Sequence, residues 1–382
     1  MDATGFVESP HQARGVRIFL AGCAMVALGV VLAFSAGFAQ MAPSAPATPE
    51  AELQAGIALT RQGRFAAAIP HLEAARGRVQ DEFAADFDLA LCYVATGENE
   101  GAIALLRPWS NQVGHAAQVH DLLAQAQIGA GHAATARAEL KAASAAAPND
   151  ERLYVLAADA CADHHWPELG LEVVAVGLEH LPRSARLHYE RGVFLSELQQ
   201  SDDARQEFAR ARALDPHGAI GALAASQAAL LEGRPEAAAA AARTGLATAP
   251  HNYILQTLLG QALLKSGAQP GQQAFTDARA ALVEAVAARP DFAPAQLALG
   301  QAELLEGHAR EAVAHLEAAR RLDPNATACY ALLASAYRQM GDMAQARAAL
   351  AALEAVNQHQ VARYKSAPAS YVGAAPAGGT PH

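Results

Sequence analysis

The chain is poor in lysine and in aromatic residues, and it lacks the common catalytic sequence motifs. Lysine occurs only at Lys141, Lys265 and Lys365, and the formal net charge is −10. Nucleic acid is therefore a poor partner, because binding to it requires basic side chains that replace the counterions of the phosphates. The sequence contains no GxSxG, no HExxH and no phosphate-binding glycine loop. We therefore predict that the protein is not an enzyme and that it binds no cofactor.

Cysteine is also scarce. Cys23 lies in an N-terminal apolar segment, and the other three cysteines are widely separated: Cys92, Cys161 and Cys329. Such spacing is not that of a disulfide framework, so we predict that these three side chains are buried small hydrophobic groups. Residues 161–165 combine Cys161 with an aspartate and two histidines, the densest group of metal-type ligands in the chain. No second group lies at zinc spacing, and we predict solvated histidines in a turn rather than a metal site.

Alanine supplies most of the apolar residues, because hydrophobic residues make up 52% of the chain and aromatic residues only 5%. Prolines recur at intervals of 34 residues, with one interval of 40: Pro148, Pro182, Pro216, Pro250, Pro290 and Pro324. Small residues recur in the same register at Gly56, Ala90, Ala124, Ala158, Gly192, Ser226, Gly260, Gly300 and Ala334. A second set recurs at Ala68, Ala102, Ala136, Gly170, Ala204, Ala238, Ala278, Ala312 and Ala346. The three series predict a repeated pair of helices that approach each other closely.

This pattern resembles the tetratricopeptide repeat, a helix–turn–helix unit of 34 residues. The resemblance covers residues 49–355 and implies an all-α, right-handed solenoid of about nine repeats. The longer interval predicts a six-residue insertion in repeat seven, at about residues 268–275, which should protrude between the two helices of that repeat. The aromatic residue that the family places near the start of the first helix is present only as Tyr154 and Tyr330. Other repeats have polar or small residues there, such as Gln256.

The N-terminal part of the chain differs from the repeats. Residues 18–34 form an uncharged apolar run, and the small residues Gly37 and Ala39 precede Gln40 as they would at a signal-peptide cleavage site. Residues 1–39 are therefore interpreted as an export signal or as an uncleaved membrane anchor, since a run of this length can also just span a bilayer. Residues 20–23 also match a bacterial lipoprotein box, although the apolar run continues beyond them.

Either interpretation predicts a protein that is periplasmic or anchored to the cytoplasmic membrane and facing outward. Residues 40–48 form a linker rich in proline, alanine and serine. Residues 356–382 are rich in alanine, proline and glycine, and we predict that they form a disordered tail.

The resemblance also implies that a ligand binds in a concave groove lined by positions 2, 5, 9 and 12 of each first helix. In repeats six to eight these positions carry Gln227, Gln261, Gln301, Ile220, Ile254, Leu223, Leu297, Leu230, Leu264 and Leu304. In repeats four and five the candidates are Arg152, Asp159, Arg186, Tyr189 and Glu197. The alternative is that the glutamines are ordinary solvated residues of a helix.

These observations predict a non-catalytic scaffold for protein–protein interaction that acts outside the cytoplasmic membrane. The alternative is an accessory subunit of envelope assembly or secretion machinery. Because no arginine or lysine occupies the groove positions of repeats six to eight, we expect the ligand to be an extended, mostly uncharged segment of another protein. Repeat six should be the softest internal repeat, since Ala229 and Ala242 replace Leu195 and Phe208 of repeat five.

Overall fold

The computed structural model describes residues 48–112 and 114–366. All regular secondary structure in these ranges is helical, which confirms the all-α fold class. One short 3-10 helix spans Arg107–Trp109. The α helices of these ranges are α1 (Pro49–Arg61), α2 (Phe65–Ala75), α3 (Glu82–Thr96), α4 (Asn99–Leu106), α5 (Ala116–Gly129), α6 (Ala133–Ala146), α7 (Glu151–Asp163), α8 (Pro167–His180), α9 (Ala185–Glu197), α10 (Ser201–Leu214), α11 (Ala219–Leu231), α12 (Pro235–Thr248), α13 (Tyr253–Lys265), α14 (Gln273–Ala288), α15 (Ala293–Glu306), α16 (Ala309–Leu322), α17 (Thr327–Gln339) and α18 (Met343–Ser366).

The chain divides after His132 into two compact units, one containing α1 to α5 and the other containing α6 to α18. Within each unit, consecutive helices pack against each other, and first helices also contact the first helices of neighbouring pairs, as α9 contacts α11. This is the stacked arrangement expected of helical repeats. The third predicted repeat is divided, because α5 belongs to the first unit and α6 to the second.

The small residues of the first helices lie beneath large side chains of the second helices. A Cβ atom added to Gly192 would lie 2.6 Å from the ring of Phe208, and one added to Gly300 would lie 2.7 Å from Cγ of Leu316. Both distances are shorter than a van der Waals contact, so neither site has room for a side chain unless its neighbour moves. The small residue is therefore required mainly by the large side chain that the second helix packs over it. The close approach of the two helix backbones is the less direct reason.

The recurring prolines lie in the loops between helix pairs, where their carbonyl groups accept a recurring hydrogen bond. The donor is a side chain six residues later: Tyr154 to Pro148 (3.0 Å), His188 to Pro182 (3.2 Å), Gln256 to Pro250 (3.0 Å), Gln296 to Pro290 (2.8 Å) and Tyr330 to Pro324 (2.8 Å). Histidine and glutamine thus replace the expected aromatic residue and keep a polar link between loop and helix. Repeat six has Ala222 at this position, which cannot donate such a bond.

Two predicted boundaries differ from the structure. The insertion of repeat seven lengthens the turn to residues 266–272 and also lengthens α14, which has 16 residues against 14 in α12. Phe275 is only 2% exposed, so this end of the insertion packs into the core instead of protruding. The predicted tail begins too early, because α18 continues through residues 356–366. The last turns of α18 extend beyond the final repeat, so the spacing of the repeats could not predict where this helix ends.

The predicted export signal, nearly all of the predicted linker and residues 367–382 lie outside the described residues. Across residues 48–112 and 114–366, no helix combines the length and the apolar character needed to cross a bilayer. The three internal cysteines are buried, as predicted, in α3, α7 and α17.

Candidate binding groove

A cavity of about 1300 Å³ lies within the second unit. Each first helix of this unit from α7 to α17 contributes to its wall, together with the loops that follow α14 and α16. Successive first helices contact each other, so corresponding positions of each repeat lie side by side along the cavity. The resemblance predicted a ligand surface on this face of the repeats.

Four of the ten predicted residues of repeats six to eight line the cavity: Gln227, Gln261, Ile254 and Leu297. The predicted role of three leucines is corrected by their burial, because Leu223, Leu264 and Leu304 are packed in the core. Their side chains face neighbouring helices and are not available to a ligand. Ile220, Leu230 and Gln301 are partly exposed but are not part of the cavity wall.

The three glutamines do not form a continuous row along the cavity, because Gln301 is not part of its wall. Gln227 lies beside Tyr189, a buried residue of α9 that also lines the cavity. Burial is the largest cause that raises the pKa of Tyr189, so this hydroxyl stays protonated. Gln261 also lies on the cavity wall. Two of the three predicted glutamines therefore lie on the cavity wall as potential donors and acceptors.

Two of the candidates of repeats four and five, Asp159 and Tyr189, lie around a third, Arg186. Its Nη2 atom lies 3.3 Å from Oδ1 of Asp159, and its Nε atom lies 2.6 Å from Oε1 of Glu190. The guanidinium carbon lies 5.9 Å from the centre of the Tyr189 ring. Arg152, in contrast, is exposed and pairs with Asp150 at the start of α7, away from the cavity wall.

A second arginine of the cavity was not among the predicted residues. Arg289 follows α14, and its Nη1 atom donates a 3.2 Å hydrogen bond to the hydroxyl group of Tyr253. The same guanidinium lies 2.9 Å from Asp291 and 3.6 Å from Asp163 on the opposite side of the cavity. The prediction considered positions on first helices, whereas Arg289 belongs to a loop between pairs.

Two glutamates of α9 have strongly perturbed acidity. Burial raises the pKa of Glu190 to about 7, even though the nearby Arg186 lowers it, and the residue is 5% exposed. The pKa of Glu197 is also raised to about 7, mainly by burial and to a smaller extent by the negative charges of Asp323 and Glu168. The side chain of Glu197 keeps contact with solvent, whereas that of Glu190 is buried.

His165 connects the two ends of the cavity wall. Its Nε2 atom lies 3.2 Å from the carbonyl oxygen of Leu322 and 3.7 Å from Oδ1 of Asp323, in the loop after α16. The residue has a φ angle of 56°, which is uncommon for a residue with a side chain. Both histidines lie in the predicted turn: His164 is exposed, and the side chain of His165 is 37% exposed although it also contacts Leu322 and Asp323.

The neighbouring Cys161 is buried, and burial raises its thiol pKa to about 12. A metal requires the thiolate form of cysteine, which burial disfavours here. Within the part of the chain that the structure describes, no group of three or more histidine, cysteine, aspartate or glutamate side chains is arranged to hold a metal ion.

Comparisons with known proteins agree with this geometry at the level of the repeat. One family model described as tetratricopeptide repeat matches residues 59–126 and 303–370, and a second with the same description matches residues 271–327. No curated protein sequence matches the chain.

Several solved structures are similar to parts of the chain. A thermophilic TPR protein from Thermus thermophilus is 25% identical, with a TM-score of 0.40, over 50% of this chain and 99% of its own. A tetratricopeptide repeat protein from Parabacteroides merdae is 15% identical, with a TM-score of 0.47, over 66% of this chain and 97% of its own. The Cut9–Hcn1 hetero-tetramer of the APC/C gives 13% identity and a TM-score of 0.47, over 75% of this chain and 55% of the matched one.

Proposed function

We propose that this chain, which is a tetratricopeptide repeat protein, is a non-catalytic scaffold that binds an extended segment of a partner protein in the cavity of its second unit. The observation that carries the proposal is the wall of that cavity, to which the first helix of every pair from α7 to α17 contributes. An extended segment presents its backbone groups and side chains at regular intervals, as the successive helices present theirs.

The wall offers both kinds of contact that such a segment needs. Ile254 and Leu297 supply apolar surface, and Gln261 supplies an amide that can donate and accept hydrogen bonds. The aromatic side chains of Tyr189 and Tyr253 lie in the same wall, beneath the two arginines. Side chains held by packing and ion pairs form a surface that changes little on binding, which lowers the entropic cost of binding.

Photo-crosslinking in the full-length protein tests this function. A photoreactive residue replaces Gln261 in one variant and replaces Glu236, which is exposed on α12, in a matched control. We expect crosslinks at position 261 to map to one short segment of a partner, and crosslinks at position 236 to be absent or scattered. Equal yields at the two positions, or no adduct at position 261, would contradict the proposal.

With the partner segment in hand, Gln261→Ala should weaken its binding by about 1 kcal/mol, or roughly fivefold, the net contribution of a typical hydrogen bond. Gln301→Ala is the matched comparison, because this residue is not part of the cavity wall, and it should bind as the unchanged protein does. A loss of the same size in both variants would show that the contact lies elsewhere.

We also propose that the protein acts outside the cytoplasmic membrane. The support is the apolar run of residues 18–34 followed by a potential cleavage site before Gln40. An enzyme that is active only outside the cytoplasm, fused after residue 60, should be active in the native host. Activity of a matched cytoplasmic reporter, without activity of the first fusion, would contradict export. Sequencing of the mature N-terminus distinguishes cleavage before Gln40 from a retained anchor.

A further inference from the structure

The cavity wall is strongly acidic. Seven carboxyl groups line it, namely those of Asp159, Asp163, Glu168, Glu190, Glu197, Asp291 and Asp323, against two arginines, Arg186 and Arg289. An extended segment that enters this cavity lies within the field of all these groups, and low-dielectric walls around a cleft strengthen such a field. The cavity therefore selects bound segments by the sign of their charge.

Both arginines are already paired with carboxylates of the wall. Arg186 contacts Asp159 and Glu190, and Arg289 contacts Asp163 and Asp291. Each guanidinium also lies over a tyrosine ring, at 5.9 Å for Tyr189 and 5.5 Å for Tyr253. An anionic ligand would have to displace carboxylates from these positions, and like-charge contacts oppose this.

The carboxylates that remain on the cavity wall are Glu168, Glu197 and Asp323, and His165 lies beside Asp323. His165 is 3.7 Å from Asp323, and the charges of all three neighbours act on Glu197. Burial, and after it the charges of Asp323 and Glu168, raise the pKa of Glu197 to about 7, against the opposing effect of His165. Negative charge in this part of the cavity is therefore incompletely compensated, and a cation placed there would stabilise it.

We propose that the segment bound in the cavity is basic, and that a lysine or arginine side chain of the partner lies among Glu168, Glu197 and Asp323. This inference rests on the proposed function, since it names the chemistry of the segment that the same cavity binds. It replaces the mostly uncharged ligand that the glutamine positions of repeats six to eight suggested when they were considered without the residues that face them.

Charge also distinguishes this occupant from the chain's own terminal segments. Residues 367–382 contain no lysine or arginine, so they do not complement the acidic wall. Residues 1–47 contain Arg14 and Arg17 together with Asp2 and Glu8, and their formal charges cancel. A basic segment from another protein is therefore the better complement.

Selection from a random dodecapeptide library displayed on phage tests the inference with the full-length protein. Peptides that bind are synthesised with a fluorescent label and measured by anisotropy. We expect enriched peptides to be rich in lysine and arginine, and their affinity to fall at least about tenfold between low and high salt, because screening weakens charge pairs. Competition with the partner peptide that crosslinking at position 261 identifies confirms that binding occurs in the cavity.

Matched variants separate the cavity from the general negative charge of the protein. Glu197→Gln and Glu168→Gln should each weaken binding by about threefold to fivefold, the value of a partly exposed ion pair. Glu179→Gln removes the same charge from an exposed position on α8 that is not part of the wall, and it should leave binding unchanged. Equal effects of all three variants would overturn the inference, because the attraction would then be non-specific.

The remaining outcomes distinguish the two proposals. Enrichment of neutral or acidic peptides that still compete at position 261 would overturn the inference and leave the binding of an extended segment in place. Absence of any enriched peptide that competes at position 261 would overturn both. Enriched basic peptides that lose affinity in Glu197→Gln but not in Glu179→Gln would support both.

Discussion

Replacing Glu190 by glutamine should make the stability of the second unit less dependent on pH. The carboxyl group is 5% exposed and lies 2.6 Å from Nε of Arg186, and burial raises its pKa from 4.5 to about 7. Between these two values, the folded state holds a proton that the unfolded state has released. The free energy of unfolding therefore decreases as the pH rises through this window, and the contribution of Glu190 is complete only below about pH 4.5.

The shift from 4.5 to about 7 corresponds to about 3 kcal/mol at most, since one pKa unit is about 1.4 kcal/mol. Glutamine has nearly the same shape, and its amide oxygen can occupy the place of the carboxylate oxygen that faces Arg186. Arg186 also keeps its ion pair with Asp159. We therefore expect Glu190→Gln to remove roughly 1–3 kcal/mol of the stability difference between pH 5 and pH 8.

Urea unfolding followed by tryptophan fluorescence measures this difference. The chain has two tryptophans, and Trp109→Phe in the first unit leaves Trp166 to report on the second unit alone. In this background, the control Glu179→Gln should follow the unchanged protein at both pH values, because Glu179 is exposed. If Glu190→Gln and the unchanged protein lose the same stability between pH 5 and pH 8, the carboxyl group is not protonated in the folded state and the reasoning is wrong.

Three further predictions concern the repeats. Gly192→Ala should destabilise the second unit by about 1–3 kcal/mol, because the new Cβ would lie 2.6 Å from the ring of Phe208. Combination with Phe208→Leu should recover much of this loss in a double-mutant cycle, and additive effects would contradict the contact. Residues 219–250 should exchange amide hydrogens faster than the adjacent internal pairs, and slowest exchange there would contradict a soft sixth repeat. Gln199→Gly should stabilise the second unit by about 1 kcal/mol, because it relieves a φ angle of 61°. His165→Gly should stabilise it less, because this variant also loses the contact with Leu322. Equal gains in the two variants would contradict a stabilising contact.

The expected softness of repeat six rests on two features of its interior. Ser226 and Ala242 occupy the positions at which repeat five places Gly192 beneath Phe208, so a small residue faces another small residue. The hydroxyl group of Ser226 donates a 3.0 Å hydrogen bond to the carbonyl group of Ala238, which satisfies the buried polar atom but adds no apolar contact. Ala222 also cannot make the hydrogen bond to the preceding proline that neighbouring pairs have.

The fold could be predicted from the sequence because each constraint of the repeat is local. A small residue is needed beneath the large residue of its partner helix, a proline stops the second helix, and a fixed period returns both to the same place. The insertion in repeat seven was located by the same argument, since the interval between Ala238 and Ala278 is 40 instead of 34. Its division between turn and helix was not predictable, because Phe275 packs into the core through tertiary contacts.

The cavity was predictable only in part, because it depends on contacts between distant repeats. His165 and Leu322 are 157 positions apart in the chain and yet lie 3.2 Å apart. A rule that assigns groove positions one repeat at a time cannot show which repeats face each other, nor that Arg289 reaches Asp163. The same rule treated Leu264 and Leu304 as exposed, whereas contacts between neighbouring first helices bury both.

Two of the turns within the helix pairs lack the glycine that the other turns have. At seven of them the residue with positive φ is glycine, namely Gly63, Gly97, Gly131, Gly233, Gly267, Gly307 and Gly341. At the same position in repeats four and five the residues are His165 and Gln199, with φ angles of 56° and 61°. Glycine would be the less strained choice, since a side chain in this conformation costs about 1 kcal/mol or more. Both exceptions line the cavity, where glycine would contribute no side chain to the wall. The two turns without glycine line the cavity, and none of the seven glycines does. This is the pattern expected when the departure from glycine serves binding.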